Sequence, residues 1–475
     1  MKILFASIPA DGHFVPLTGL AVHLSDGGHD VRWYAGPTYA PKAEHLGLPV
    51  FGYHRATEVT GENFNTLYPE RAKLRGPKLI AFDAEHLFVT NVQHYYDDIV
   101  ALREEFPFDV MIVDGAFYAA QLVAAELGVP VYARGLPAVL PDAASPPPFF
   151  GLKPARTPLD RLVHAVVRRM VASASKPAID AYNTILTDHG IAPIGPHGFP
   201  HEPIIAAATR IWMDSTPGME FPGYRPPASA RYVGQLEPAR HATVEVELPD
   251  AVTDPGRRVV VVSQGTVDNT DPSKLIIPTL QALHDQGHTI VVTTGGSHTD
   301  ELRARYGSPT VIIEDYIPYA TLFPHADVFV SNGGYGSGIA ALSRGIPVVA
   351  AGTREGKNDN NVRLATNHLA VDLRSETPRK AKIRAAVRRA LTDPSIRAAV
   401  TNIQAELATY DALRIIEADL MADATARATT TRKTEGMAPN IGHDSEAEEH
   451  GPAEQAKHHQ DPRPLTAQTR ARRDV

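Results

Sequence analysis

The stretch from Val328 to Val349, VFVSNGGYGSGIAALSRGIPVV, constrains the fold more than any other part of this chain. Val328-Phe329-Val330 is a short apolar run that reads as the end of a buried strand. Ser331-Asn332-Gly333-Gly334 then makes a sharp turn, which glycine enters with the least steric penalty. From Ser337 to Ser343, Ile339, Ala340 and Leu342 fall at roughly helical spacing. Gly345-Ile346-Pro347 ends that helix and leads into a second buried strand, Val348 to Ala351. Strand, turn, helix and strand are the repeating unit of a parallel α/β sheet. Such a turn aims unpaired N–H groups and the positive end of a helix dipole at one spot, where a phosphate is well held. Gly334-Tyr335-Gly336 lacks the third glycine of a dinucleotide fingerprint. Taken alone, the unit therefore also fits a plain tight βα connection.

The rest of the chain repeats the pattern. Lys2 to Ser7 reads as a strand, Ile8 to His13 as a loop, and a helix near Pro16 carries an apolar face of Leu17, Leu20, Ala21 and Leu24. Val31 to Tyr34, Phe108 to Val113 and Val129 to Arg134 are further strands. A proline-rich loop, with Pro146-Pro147-Pro148 before Phe149-Phe150, precedes a helix over Leu159 to Leu186 whose apolar face is Leu162, Val166, Met170 and Val171. A second βα series opens at Val259 to Ser263 and runs through Thr289 to Thr293 into the Val328 unit. The expected organisation is an N-terminal domain over 1–235, a linker over 236–256, a C-terminal domain over 257–400, a helix over 401–423 and a tail over 424–475. Aliphatic residues thin out after Ala424, which predicts disorder there.

Composition excludes several classes. The 475 residues suffice for two or three domains, and 43% hydrophobic with 21% charged content is that of a soluble globular protein. A net charge of -8 without a Lys/Arg block gives no footprint for nucleic acid. Cysteine is absent, so there is no disulfide, thiolate nucleophile or thiolate metal site. The apolar run at the start is too short for a secretory segment, and no stretch approaches the ~18 apolar residues of a membrane span. A cytoplasmic protein without a stable membrane anchor is expected.

Two successive parallel βα domains place a cleft between them, with ligands at the carboxyl ends of the strands. His13, after the first strand, and Asp114, after another strand of the same sheet, sit at that edge. An imidazole held by a carboxylate is a general base. The same residues also fit a polar loop position and a helix N-cap.

At this point the residues match a known pattern. Gly12-His13-x-x-Pro16-Leu17 with Leu20-Ala21, Leu24, Gly28-His29 and Val31 resembles the start of UDP-dependent, macrolide-type glycosyltransferases of family 1. Val262-Ser263-Gln264-Gly265-Thr266 resembles the first strand of that family's second domain. Asp315-Tyr316-Ile317-Pro318 and Phe329 to Pro347 are similar to its donor-binding signature. The resemblance spans about residues 1–420 in order and spacing. It implies an α/β GT-B fold, in which two Rossmann-like domains face a cleft and a C-terminal helix returns to the first. It implies an inverting hexosyl transfer from a nucleotide sugar to a small acceptor, without metal or other cofactor. His13 would be the base and Asp114 its partner. Ser263, Thr266, Tyr316, Ile317 and the turn Asn332, Gly333, Gly334, Tyr335, Gly336 and Ser337 would hold the donor, with Glu355 and Asp359 near its sugar.

Several signature positions depart from the family. The usual His before the glycines is Asn332, the base-stacking Trp is Tyr316, the following Gln is Tyr319, and the ribose-binding Glu is Ala340. The sugar-gripping Asp-Gln pair falls on Gly356-Lys357. Diphosphate binding is expected to survive these changes, whereas the choice between UDP and dTDP does not follow from the family. An acceptor pocket is expected in the first half, capped by the 56–94 segment and the 139–190 loop and helix, where Phe82, Phe88, Tyr95, Phe117, Phe149 and Phe150 would suit a flat or lipophilic molecule. Two other readings are a nucleotide-sugar epimerase, which needs no acceptor cap, and a non-catalytic binding protein, against which His13 and Asp114 argue.

Overall fold

The computed structural model describes residues 1–75, 77–135, 145–195, 198, 202–239, 246–265, 269–354 and 356–436. Among these, the strands form two sheets, every pairing in them parallel. The first holds β1 (Lys2–Ala6), β2 (Asp30–Ala35), β3 (Val50–Gly52), β4 (Val110–Asp114), β5 (Val131–Gly135), β6 (Arg210–Met213) and β7 (Ala230–Tyr232), in the order β3-β2-β1-β4-β5-β6-β7. The second holds β8 (Val259–Ser263), β9 (Thr289–Thr293), β10 (Val311–Glu314), β11 (Val328–Ser331), β12 (Val348–Ala350) and β13 (Ala370–Asp372), in the order β10-β9-β8-β11-β12-β13. Both are Rossmann-like, and the two halves repeat one topology.

Continuous apolar strands are what a parallel sheet covered on both faces requires. In β1, Leu4 and Ala6 enter one core cluster while Ile3 and Phe5 enter the cluster on the opposite face. Val260 and Val262 of β8 divide from Val259 and Val261 in the same way. The period-two alternation of a strand makes that division unavoidable once helices lie on both sides.

The first helix differs from its expected start. It runs Asp11–Asp26, so His13 lies on its first turn rather than in a loop, and Pro16 falls inside it. The segment 236–256 carries a short helix, Asp250–Thr253, while its residues 240–245 lie outside the described set.

In place of one helix over 401–423 there are two, Pro394–Leu407 and Ala412–Gly436. Ala412, Ile416 and Leu420 pack with Phe14, Leu17 and Trp212, which returns the chain to the first sheet. Asp419 there accepts a hydrogen bond from the Trp212 indole at 3.0 Å and pairs with Arg231. Both sheets lie in one compact unit, Met1–Met421. Of the second unit, Ala422–Val475, the described part is helical as far as Gly436, beyond the expected onset of disorder at 424. The run Ala422 to Gly436 lacks aliphatic residues but contains Ala, Arg, Lys and Glu, which extend a helix well once a first turn is fixed. The remainder of the tail, 437–475, lies outside the described residues.

Candidate active site

In both sheets the strand order reverses beside the first strand, between β1 and β4 and between β8 and β11. Loops leaving the carboxyl ends on either side of such a point diverge and leave a crevice for a ligand. At the first crevice β4 delivers Asp114 at its last position, and the helix after β1 delivers His13. His13 Nδ1 and Asp114 Oδ1 are 2.8 Å apart. The carboxylate is 1% exposed, and it also accepts from the backbone N–H of Ile8 and of Ala116, both at 2.8 Å. With every nearby partner a donor, Asp114 orders the imidazole with its proton on Nδ1 and a lone pair on Nε2. The His13 side chain keeps 30% exposure, so that lone pair can be reached from solvent. Asp114 is not a helix N-cap, because the next helix begins only at Ala120.

The second crevice holds the glycine turn. Asn332 donates from its amide to the Gln264 carbonyl and so joins the loop after β11 to the loop after β8. Gly333 has φ +87°, and a Cβ there would lie 2.8 Å from the Ala351 carbonyl oxygen and 2.5 Å from the Asn361 side chain. Glycine is required on both counts. Gly334 caps the helix Tyr335–Leu342, whose first backbone bond runs from Gly338 N–H to the Gly334 carbonyl. The N–H groups of Tyr335, Gly336 and Ser337 thus precede the first possible intrahelical acceptor and point outward from a positive helix end. Ser263 accepts from Gly265 N–H at 3.3 Å beside this turn.

Gly333→Ala is therefore expected to lower stability by about 2–4 kcal/mol, from strain at positive φ plus overpacking. A drop in Tm with loss of nucleotide binding is the result to look for, and an unchanged Tm would show that the turn relaxes.

Other expected site residues behave differently. Tyr316 is 71% exposed and offers an open ring, whereas Ile317 is 2% exposed and sits in the core, so only its main chain is available to a ligand. Thr266 and Glu355 lie outside the described residues. Both carboxylate oxygens of Asp359 already accept backbone N–H groups of the first half, from Phe149 and from Gly151, the latter at 2.7 Å. Burial raises the Asp359 pKa, with those amides opposing. Asp359 thus clasps the proline-rich loop rather than projecting free toward a sugar. Asn358 completes the clasp at the Phe149 carbonyl, 2.6 Å away.

Several supporting residues carry no sequence motif. Asn360 donates to the Gly333 carbonyl, and Asn361 to the carbonyls of Ala351 and Gly352, buttressing the turn from behind. Two consecutive asparagines in a helix are poor helix formers, and that is the one signal that could have marked them. Tyr335 donates its hydroxyl to the Asp214 carbonyl, which ties the turn to the first half. Burial raises the pKa of that phenol, keeping it a donor. Asp214 is fixed by a buried ion pair with Arg134 at 2.6 Å. Burial also raises the Glu220 pKa, while Arg363, 3.4 Å away from the other half, opposes the shift.

The aromatics expected to line an acceptor pocket divide. Tyr95 and Phe117 are buried in the core, 2% and 0% exposed, packed with Tyr34. Phe82 stacks on His86 at 3.9 Å, Phe88 lies 6.1 Å from Tyr118, and Phe149 and Phe150 are exposed.

Two Rossmann-like halves, each with polar residues gathered at its switch point, make up a GT-B fold. Residues 278–422 match the family model described as erythromycin biosynthesis protein CIII-like, C-terminal domain. The chain is 29% identical to 4'-demethylrebeccamycin synthase from Lentzea aerocolonigenes, over 87% of this chain and 97% of that protein. It is 28% identical to UDP-glycosyltransferase 2 from Phaeomoniella chlamydospora, over 87% and 94% of the two chains. Among solved structures it is similar to the spinosyn rhamnosyltransferase SpnG complexed with thymidine diphosphate, with a TM-score of 0.63, 15% identity and coverage of 89% and 100%. The chain is a glycosyltransferase with the GT-B fold, similar to the macrolide-type enzymes of family 1.

Proposed function

We propose that this enzyme transfers a hexose, with inversion, from a nucleoside-diphosphate sugar to a hydroxyl of a small lipophilic acceptor. The observation that carries the reading is the His13–Asp114 pair at one switch point, with a phosphate-type turn at the other. His13 Nε2 takes the acceptor hydroxyl proton as that oxygen bonds to the anomeric carbon. The bond from that carbon to the diphosphate breaks in the same displacement. Asp114 stabilises the imidazolium without taking its proton. Charge building on the leaving diphosphate meets the N–H groups of Tyr335, Gly336 and Ser337 and the helix dipole. Those donors take the part that a metal ion plays elsewhere, so no metal is expected in the reaction.

Nucleoside choice follows from Ala340. Without a carboxylate to accept from ribose hydroxyls, the site has little with which to reject a nucleotide lacking one of them. UDP and dTDP are expected to raise the Tm by similar amounts at equal concentration, because each stabilises the folded state by mass action. A preference for UDP above about tenfold in Kd, roughly 1.4 kcal/mol, would point to another ribose-binding group. No shift with either nucleotide would contradict the donor assignment.

A further inference from the structure

The long helix Pro158–Asp188 buries the wrong side for a simple core helix. Its expected apolar face was Leu162, Val166, Met170 and Val171. Of these only Val171 is buried, because the helix turns His164, Val171, Ala172 and Ser175 inward. Leu159, Leu162, Val163, Val166 and Met170 are 68%, 62%, 43%, 47% and 51% exposed. Their spacing of three, four, seven and eleven residues from Leu159 puts them in one stripe on the outer side of the helix. Five large apolar side chains sharing one outward stripe are more than the scattered exposure of an ordinary surface.

The charge around the stripe is one-sided. Lys153 and Arg156, just before the helix, and Arg169, flanking the stripe, are exposed, while Arg161, also exposed, falls on the opposite side of the helix. Arg168 beside them is held to the Ser145 carbonyl, and Lys176 pairs with Asp180. The acid within Gly151 to Ile179 is Asp160, and its carboxylate is committed to the N–H groups of Arg156 and Thr157 in the helix cap. This cluster stands on a chain whose net charge is -8. An anionic surface therefore repels most of the molecule and attracts this face, which selects one orientation.

We propose that this helix lies in the plane of an anionic lipid bilayer, with Leu159, Leu162, Val166 and Met170 entering the headgroup region and Arg156 and Arg169 meeting lipid phosphates. Among the described residues no helix is long and apolar enough to cross a membrane, so the contact is peripheral and reversible. The amphipathic pattern with cationic flanks is what in-plane binding uses. This inference is independent of the acceptor reading above.

The test is co-sedimentation of the full chain with vesicles of phosphatidylcholine alone or mixed with phosphatidylglycerol, alongside the mass in solution. Binding is expected to the anionic vesicles, weakly if at all to the neutral ones, and to fall as salt rises. Arg156→Gln with Arg169→Gln is expected to weaken it on the order of tenfold or more, and Leu162→Ser with Val166→Ser to abolish it. All four side chains are exposed, so the variants should keep the wild-type Tm. Absence of binding to anionic vesicles would overturn the proposal, as would variants that bind like wild type. A wild-type dimer that Leu162→Ser with Val166→Ser converts to a monomer would assign the face to a second copy instead, and would equally overturn it.

Discussion

His13→Ala is expected to lower kcat by ~10²–10⁴ while leaving nucleotide binding intact, since only the proton-accepting Nε2 is lost. His13 sits on the first helical turn with a partly exposed ring, and in the described contacts its side chain bonds Asp114 alone. Removing it leaves no cavity in either core cluster, so Tm should hold within about 1 kcal/mol equivalent. Steady-state rates and thermal shifts with UDP or dTDP, measured on the same preparation, separate the two effects. A full rate with a verified acceptor would remove His13 from the mechanism.

Asp114→Asn is the second large effect, and its cause differs. The carboxylate accepts from three donors: the His13 ring, Ile8 N–H and Ala116 N–H. An amide has one accepting oxygen, so its NH₂ must face one of them. If it faces Ile8, two donors oppose each other in a buried site. If it faces His13, it also opposes the Ala116 N–H that shares that oxygen, and the imidazole must present a lone pair at Nδ1 and carry its proton on Nε2, which is the wrong tautomer for a base. A loss in kcat on the order of 10³ or more is expected, together with about 1–3 kcal/mol of stability for the unmatched donor. Asp114→Glu should not restore activity, because the longer side chain cannot keep both backbone contacts. A rate within tenfold of wild type for Asp114→Asn would show that the carboxylate is structural only.

The sequence carried much of this architecture because apolar strands and glycine turns are local signals. Val328 to Val330 and Val259 to Val262 can hardly be anything but buried strands, and Gly333 marks its turn through a conformation that other residues resist. The His13–Asp114 pair was legible for the same reason: each residue follows such a strand, and parallel topology brings the two strand ends together. What escaped depends on long-range packing. Leu162, Val166 and Met170 have the periodicity of a core face, yet the opposite side of their helix is the one covered. Tyr95 and Phe117 look like pocket aromatics until the sheet is assembled over them. The engagement of Asp359 by Phe149 and Gly151 joins residues some two hundred positions apart, and no spacing rule reports such a contact. The first helix starts at Asp11, ahead of Pro16, even though the proline removes the N–H that would have bonded the Gly12 carbonyl, so a proline marked the helix without marking its start.

The most direct measurement of the central claim is the anomeric configuration of the product. In the proposed reaction, with His13 as the base and the diphosphate leaving against the Tyr335 helix start, transfer is a single displacement. With an α-linked UDP- or dTDP-glucose donor, the proton coupling at the anomeric carbon of the isolated glycoside should report the β configuration. An α-glycoside would contradict the account, because retention requires a second displacement or a same-face departure that His13 and Asp114 do not provide.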